Sequence, residues 1–303
     1  MSKDLMNTKE VAKYLDIHEK QVYALIKAAK IPCTRVTGKW IFPLRLIEDW
    51  IESSAQDGLQ QARRKINKME GALLASGSND PVLDMLLTAM KKDHTDFHIF
   101  SANTGSTAGL EALNSGLTDI AFSHLLDAET GDYNIPFLKK YCPDQNPVVV
   151  NLFTRQIGFV LSREMTKPFT GWESLIKNKL RFVNRQKGSG IRLLVDEQLD
   201  RLSIPPDAVS GYENEVYTHF EVGLSVVSGE ADAGIASAAV AKIFDVGFAP
   251  LQNERFDMIL SKDTFFQPPV QAFIETLQSR PFKARVEKIG HYSFQDSGRI
   301  LHS

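Results

Sequence analysis

Apolar residues over the first fifty positions recur with a helical period, switch to a short alternation, and return to the helical period. Val11, Ala12 and Leu15 share one helix face, with Asn7 or Thr8 placed to cap it and Glu10 in the first turn. After the short Asp16-Ile17-His18 break, Val22, Leu25, Ile26 and Ala29 fall at i, i+3, i+4 and i+7, which predicts a second helix from about Glu19 to Lys30. Pro32 stops it. Residues 34–42 alternate about Thr37-Gly38, the pattern of a hairpin. Pro43 ends that hairpin, and residues 44–51 read as a third helix with Leu46, Ile47 and Trp50 turned inward.

From about residue 71 the period changes. Short apolar strands at 71–76, 98–101 and 118–123 alternate with helices at 82–91 and 110–115. Two long strands are expected at 148–153 and 156–162. A further strand at 180–184, helices at 191–202 and 217–228, and a strand near 229–236 follow. Such alternation predicts parallel strands with crossover helices, an open α/β sheet. Pro268-Pro269 opens a helix from Val270 to Leu277, and residues 286–303 read in part as a loosely held tail. Between the two patterns, Ala55, Leu59, Ala62, Ile66, Met69 and Leu73 step by four and three, the 3.5-residue period of a coiled-coil seam.

Composition adds one asymmetry. The 303-residue chain has a net charge of −2, yet residues 1–70 carry 13 Lys and Arg against 9 Asp and Glu, and the remainder carries 22 against 28. A basic head on an acidic body predicts that the head meets the polyanion. Two cysteines exclude a disulfide scaffold, and no apolar run reaches the ~18 residues of a membrane span. No secretory leader is read at the N-terminus, so a cytoplasmic location is the default expectation.

Helix, tight turn, helix, small hairpin, helix is a winged helix-turn-helix order. Met6-Asn7-Thr8-Lys9-Glu10-Val11-Ala12, Val22-Tyr23-Ala24-Leu25-Ile26, Ile31-Pro32 and Gly38-Lys39-Trp40 carry a resemblance to the excisionase/MerR-type DNA-binding family over about residues 4–53. Lys20 and Gln21 stand where a second helix reaches base edges in the major groove, beside Tyr23 and Lys27. Arg35, Lys39 and Arg45 suit phosphate contacts. Double-stranded DNA is the expected partner. A head of this size makes few base contacts, so a homodimer on a two-part site is also expected.

In the body, Gly77-Ser78-Asn79-Asp80-Pro81, Gly105-Ser106-Thr107-Ala108-Gly109-Leu110, Asn184-Arg185-Gln186-Lys187-Gly188-Ser189-Gly190-Ile191-Arg192 and Gly229-Glu230-Ala231-Asp232-Ala233-Gly234 resemble the periplasmic-binding-protein-like ligand domain, closest to its molybdate-binding-like subgroup. The fold expected is α/β, a small winged helix-turn-helix domain plus a two-lobed type II binding-protein domain with open mixed sheets. The domains expected are 1–54, a helical linker 55–70, and 71–303, with the second lobe at about 155–240.

Each of these loops joins a strand end to a helix start, where free N–H groups and the positive dipole end attract anions. The candidate ligand contacts are Ser78, Asn79, Asp80, Gly105, Ser106, Thr107, Ser123, Arg155, Arg185, Gly188, Ser189, Gly190 and His219. The resemblance implies a molybdate or tungstate effector and a ligand-responsive transcriptional regulator. The alternative is a cytosolic ligand-binding protein whose head grips a protein. There is no GxxxxGK[ST], no complete dinucleotide fingerprint and no GxSxG, so no enzyme, metal or cofactor is expected.

Overall fold

The computed structural model describes residues 4–54, 71–165 and 169–303. The chain divides into two compact units, residues 1–69 and 70–303. The coiled-coil seam and the linker read from the sequence lie outside the described residues, Leu73 excepted.

The first unit begins with β1 (Leu5–Met6), a strand not foreseen in the sequence, followed by α1 (Thr8–Tyr14) and α2 (Glu19–Lys27). The Asn7 side chain accepts from the Lys9 and Glu10 amides, and Glu10 returns a bond to the Asn7 amide at 2.9 Å, a complete capping box. α2 ends at Lys27, earlier than periodicity implied, because Ala29 turns into a left-handed conformation (φ 52°). β2 (Thr34–Val36) and β3 (Lys39–Pro43) form the hairpin, and β1 adds to the other edge of β3. Helix α3 runs over 44–54. Its inward face holds Ile47 and Trp50, whereas Leu46 is 49% exposed, and Leu44 packs on the core instead.

The second unit is built on one mixed sheet. β4 (Ala72–Gly77), α4 (Pro81–Asp93), β5 (His98–Asn103), α5 (Ser106–Asn114) and β6 (Ile120–Ser123) form two crossovers with β4 parallel to both β5 and β6. After α6 (Ile135–Tyr141) comes β7 (Val148–Leu161), a single 14-residue strand where the sequence suggested two. α7 (Trp172–Lys177), β8 (Phe182–Arg185), α8 (Gly190–Arg201), β9 (Glu215–Val216), α9 (His219–Val227), β10 (Ala233–Ser237) and α10 (Ala238–Phe244) make the second lobe. β11 (Gly247–Leu260), also 14 residues, returns antiparallel to β7 along its whole length. The second lobe therefore extends past the expected 240, through the first half of β11.

The strand order β5-β4-β6-β11-β7-β10-β8-β9 puts one lobe at each end of the β7/β11 pair. Apolar clusters cover both faces of each half: Leu83, Leu86 and Phe273 lie in one, Leu110 and Leu138 in another, Leu175 and Leu194 in a third, and Val222 and Val240 in the fourth. Helices α11 (Lys262–Phe265), α12 (Pro268–Gln278) and α13 (Arg280–Glu287) complete the first lobe. The segment read as a loose tail is tied down, since β12 (Tyr292–Ser293) and β13 (Ile300–His302) both pair with β7.

Close backbone contact fixes where α5 starts. A Cβ on Gly109 would stand 2.6 Å from the Gly77 Cα, so helix and strand touch only because Gly109 has no side chain. Gly109→Ala is expected to destabilise the full chain by about 1–3 kcal/mol through overpacking. Urea unfolding measures this, and an unchanged midpoint would show that α5 can move away freely.

Candidate functional site

Three of the four loops singled out in the sequence, at 77–81, 105–110 and 184–192, converge between the two lobes, whereas the fourth, 229–234, joins the end of α9 to the start of β10 and is no helix start. From the first lobe, Asp80 caps α4 by accepting from the Val82 amide at 2.7 Å. Ser78 and Ser106, at the start of α5, share a 2.7 Å hydroxyl bond, and the His124 amide approaches Ser106 Oγ at 3.3 Å. From the second lobe come Arg185 and Gln186, then Gly188 and Ser189, which caps α8 by accepting from the Arg192 amide at 3.1 Å. His219 opens α9. The crossing strands supply Arg155 from β7 and Glu254 from β11.

Both Thr107 N–H and Thr107 Oγ1 donate to the Gly188 carbonyl, at 3.2 and 3.0 Å, so the lobes touch across the cleft. Gly190 lies against the His124 ring, where a Cβ would stand 2.6 Å from Cε1.

Arg155 is the centre of this cluster and is fully buried. Its Nη1 donates to Asp80 Oδ2 at 2.6 Å, its Nε donates to Glu254 Oε2 at 2.8 Å, and its Nη2 lies 2.6 Å from the same Glu254 oxygen. One cation thus serves two carboxylates. Burial disfavours its charge, but Glu254 and Asp80 outweigh that and raise its pKa. Tyr292, on the C-terminal segment, directs its hydroxyl at both Asp80 oxygens (3.1 Å).

The histidines are neutralised differently. Burial pulls His124 below its ordinary pKa against the opposing pull of Glu254, whose Oε1 lies 2.8 Å from Nδ1. Burial would raise the Glu254 carboxyl, yet His124 and Arg155 hold it below the usual range. His219 is driven well below 6.5 by burial, then by Arg155, Arg185 and His124. Its Nε2 faces Arg155 Nη2 and its Nδ1 faces the Ser237 amide, each at 3.2 Å. Both neighbours are donors, so a protonated ring has no acceptor there. A neutral ring, with one lone pair, accepts from one of them at a time.

Arg185 stands apart. Its Nη2 donates to the Tyr217 carbonyl at 2.7 Å, but Nε and Nη1 are buried with no acceptor. It makes no ion pair among the described residues. Burial, then repulsion from Arg155, pushes its pKa down to about 9. Beside it, both amide atoms of Gln186 are also buried without partners, as is Ser123 Oγ.

The other expected contacts are placed as follows. Asn79 donates to the Asp84 carboxylate at 3.2 Å and offers its carbonyl to Arg155 Nη1. Gly105 faces the Gln186 amide, whose Nε2 would lie 3.3 Å from a Cβ built on Gly105. Glu254, His124, Gln186 and Tyr292 were not among the residues expected at the site. Glu254 carried no local signal, since it stands in the polar run Gln252-Asn253-Glu254-Arg255.

On the first unit, Lys20, Gln21, Tyr23 and Lys27 of α2 are exposed, as are Arg35, Lys39 and Arg45. Gln21 Oε1 accepts from the His18 amide (2.9 Å), and Arg35 bonds the Gly38 carbonyl and lies over Trp40.

The fold and the cleft define a two-lobed binding-protein domain joined to a helix-turn-helix domain. Residues 87–278 match the family model of the PBP superfamily domain and residues 5–55 that of a helix-turn-helix domain, so the chain belongs to the PBP superfamily. It is 30% identical over 299 residues to the uncharacterized protein YvgK of Bacillus subtilis (strain 168), covering 96% of each chain. Among solved structures it is similar to a putative phosphate ABC transporter substrate-binding protein with bound phosphate from Clostridium perfringens (TM-score 0.53, 16% identity, 73% of this chain and 98% of that one). It is also similar to the tungstate ABC transporter from Geobacter sulfurreducens (TM-score 0.50, 14% identity, 73% of this chain and 100% of that one). The two domains together are of the ligand-binding, DNA-binding regulatory kind. Among the described residues, no helix is long and apolar enough to cross a membrane.

Proposed function

We propose that this protein is a one-component transcriptional regulator. Its helix-turn-helix head binds double-stranded DNA, and its two-lobed domain closes on a small anion. The observation that carries the anion is Arg185, buried, unpaired, and left with two nitrogens lacking acceptors in a cleft whose lobes already touch. A buried cation in that condition is costly, and an anionic ligand removes the cost. The helix starts at Ser106 and Ser189 add N–H donors on the two walls. The sequence resemblance puts molybdate and tungstate first among the ligands to test. Cytoplasmic location and a homodimer on a two-part DNA site complete the reading.

Titration of the full chain with duplex DNA, with and without anion, tests it. DNA affinity is expected to fall steeply with salt, and Lys39→Ala and Arg45→Ala each to lower the log–log slope by about one phosphate contact. Saturating anion is expected to change the affinity by about 5–150-fold. Salt-independent binding, or no binding to any duplex at low salt, would sink the regulator reading.

A further inference from the structure

We propose that the ligand is a small monoanion carrying its own hydrogen-bond donor, rather than a bare dianion that only accepts. This deepens, and rests on, the reading of the cleft as an anion site. Gln186 carries the inference. It follows Arg185 directly, is 6% exposed, and has neither its Nε2 nor its Oε1 bonded. Flipping the amide leaves the same two atoms unmatched, because donor and acceptor are both orphaned. A fully deprotonated oxyanion accepts from Arg185 and from Gln186 Nε2, but has nothing to give Gln186 Oε1. A ligand bearing an O–H or N–H near its charged oxygens satisfies all three.

Charge points the same way. Arg155 is shared by Asp80 and Glu254, each within 2.8 Å, and so lends no charge to a ligand. His219 faces two donors and stays neutral. Among the described residues of the cleft, Arg185 is then the buried cation left to balance the ligand, and one negative charge matches it where two overshoot. Two sources share this chemistry: a hydrogen-bearing inorganic oxyanion and a small hydroxy or amino acid.

Calorimetric titration of the full chain at neutral pH with matched probes tests the proposal. The pairs are glycolate against acetate, lactate against propionate, and phosphate against sulfate, with molybdate and tungstate alongside. The donor-bearing member of at least one pair is expected to bind about tenfold or more tightly than its acceptor-only partner. The pair that shows the gap separates the organic from the inorganic source. Gln186→Leu is expected to weaken both members of the pair, the donor-bearing one more, and so to close the gap between them. The wild-type ratios stand without any variant. If sulfate, molybdate or tungstate binds as tightly as every donor-bearing probe, this inference falls while the anion reading survives. If no probe binds, the anion reading is overturned and this inference with it.

Discussion

Arg155→Met is expected to cost the fold about 3–5 kcal/mol, the usual penalty for removing one partner of a buried ion cluster. The substitution keeps most of the side-chain volume, so the loss is electrostatic rather than a cavity effect. It strands Asp80 and Glu254, both buried, and takes the partner from His219 Nε2. Asp80 also caps α4, and Glu254 holds His124, so the damage reaches both walls of the cleft. Urea unfolding of the full chain measures it. The triple replacement Arg155→Met, Asp80→Asn, Glu254→Gln is expected to recover part of the loss, because none of these three positions then carries an unpaired charge. A single-variant loss below about 1 kcal/mol would show that the two carboxylates find other partners.

Arg185→Met is expected to act with the opposite sign. Among the described residues this guanidinium makes no ion pair and leaves two nitrogens without acceptors, so its removal is expected to stabilise the anion-free chain by about 1–3 kcal/mol. The same variant is expected to lose the thermal shift that a bound anion produces, about 2.7 kcal/mol at a hundredfold excess over Kd in the wild type. The pH dependence has a definite sign. The folded-state pKa, about 9, lies far below the ordinary arginine value that the unfolded chain keeps. The unfolded chain then binds more protons above pH 9, and stability rises with pH there. The advantage of Arg185→Met over the wild type should therefore be full below pH 9 and shrink as pH climbs above it. Thermal unfolding of both proteins from pH 7.5 to 10.5 reads that difference directly. An advantage that stays constant through pH 10.5 would show that burial of this cation is not its source.

Much of this arrangement was legible in the sequence, and the reasons differ by element. The head was readable because each boundary has a local cause: Asn7 with Glu10 at one helix start, Pro32 after the second helix, Thr37-Gly38 at the turn. β1 was not, since two residues joining a sheet edge have no period of their own. In the body, the loops after β4, β5 and β8 announced the cleft by their glycines and serines. What no local pattern shows is which charges pair across distance. Arg155 was expected to face the ligand, yet it spends its donors on Asp80 and Glu254, 75 and 99 residues away in sequence. β11 was overlooked because Pro250 and the polar run from Gln252 to Arg255 interrupt its apolar residues, and Glu254 was overlooked with it. Residues 286–303, read in part as a loose tail, were misread because two- and three-residue strands pairing with β7 have no period of their own.

The long β7/β11 ribbon has a mechanical consequence. Beyond its β11 edge, β7 is paired by the C-terminal strands up to Arg155 and by β10 from Ile157 onward, so its second support changes hands across Gln156. β11 is bonded to β6 only from Asp257, and its register with β7 shifts between Pro250 and Gln252 and again between Phe256 and Asp257. Bulges raise local twist and compliance. The two irregularities bracket Glu254, and Arg155 stands opposite it on β7, so both residues lie where the ribbon that joins the lobes is least regular. Arg155 and Glu254 thus tie together the two strands that run from one lobe to the other, so a variant that breaks their ion pair is expected to loosen the join between the lobes as well as the fold of each.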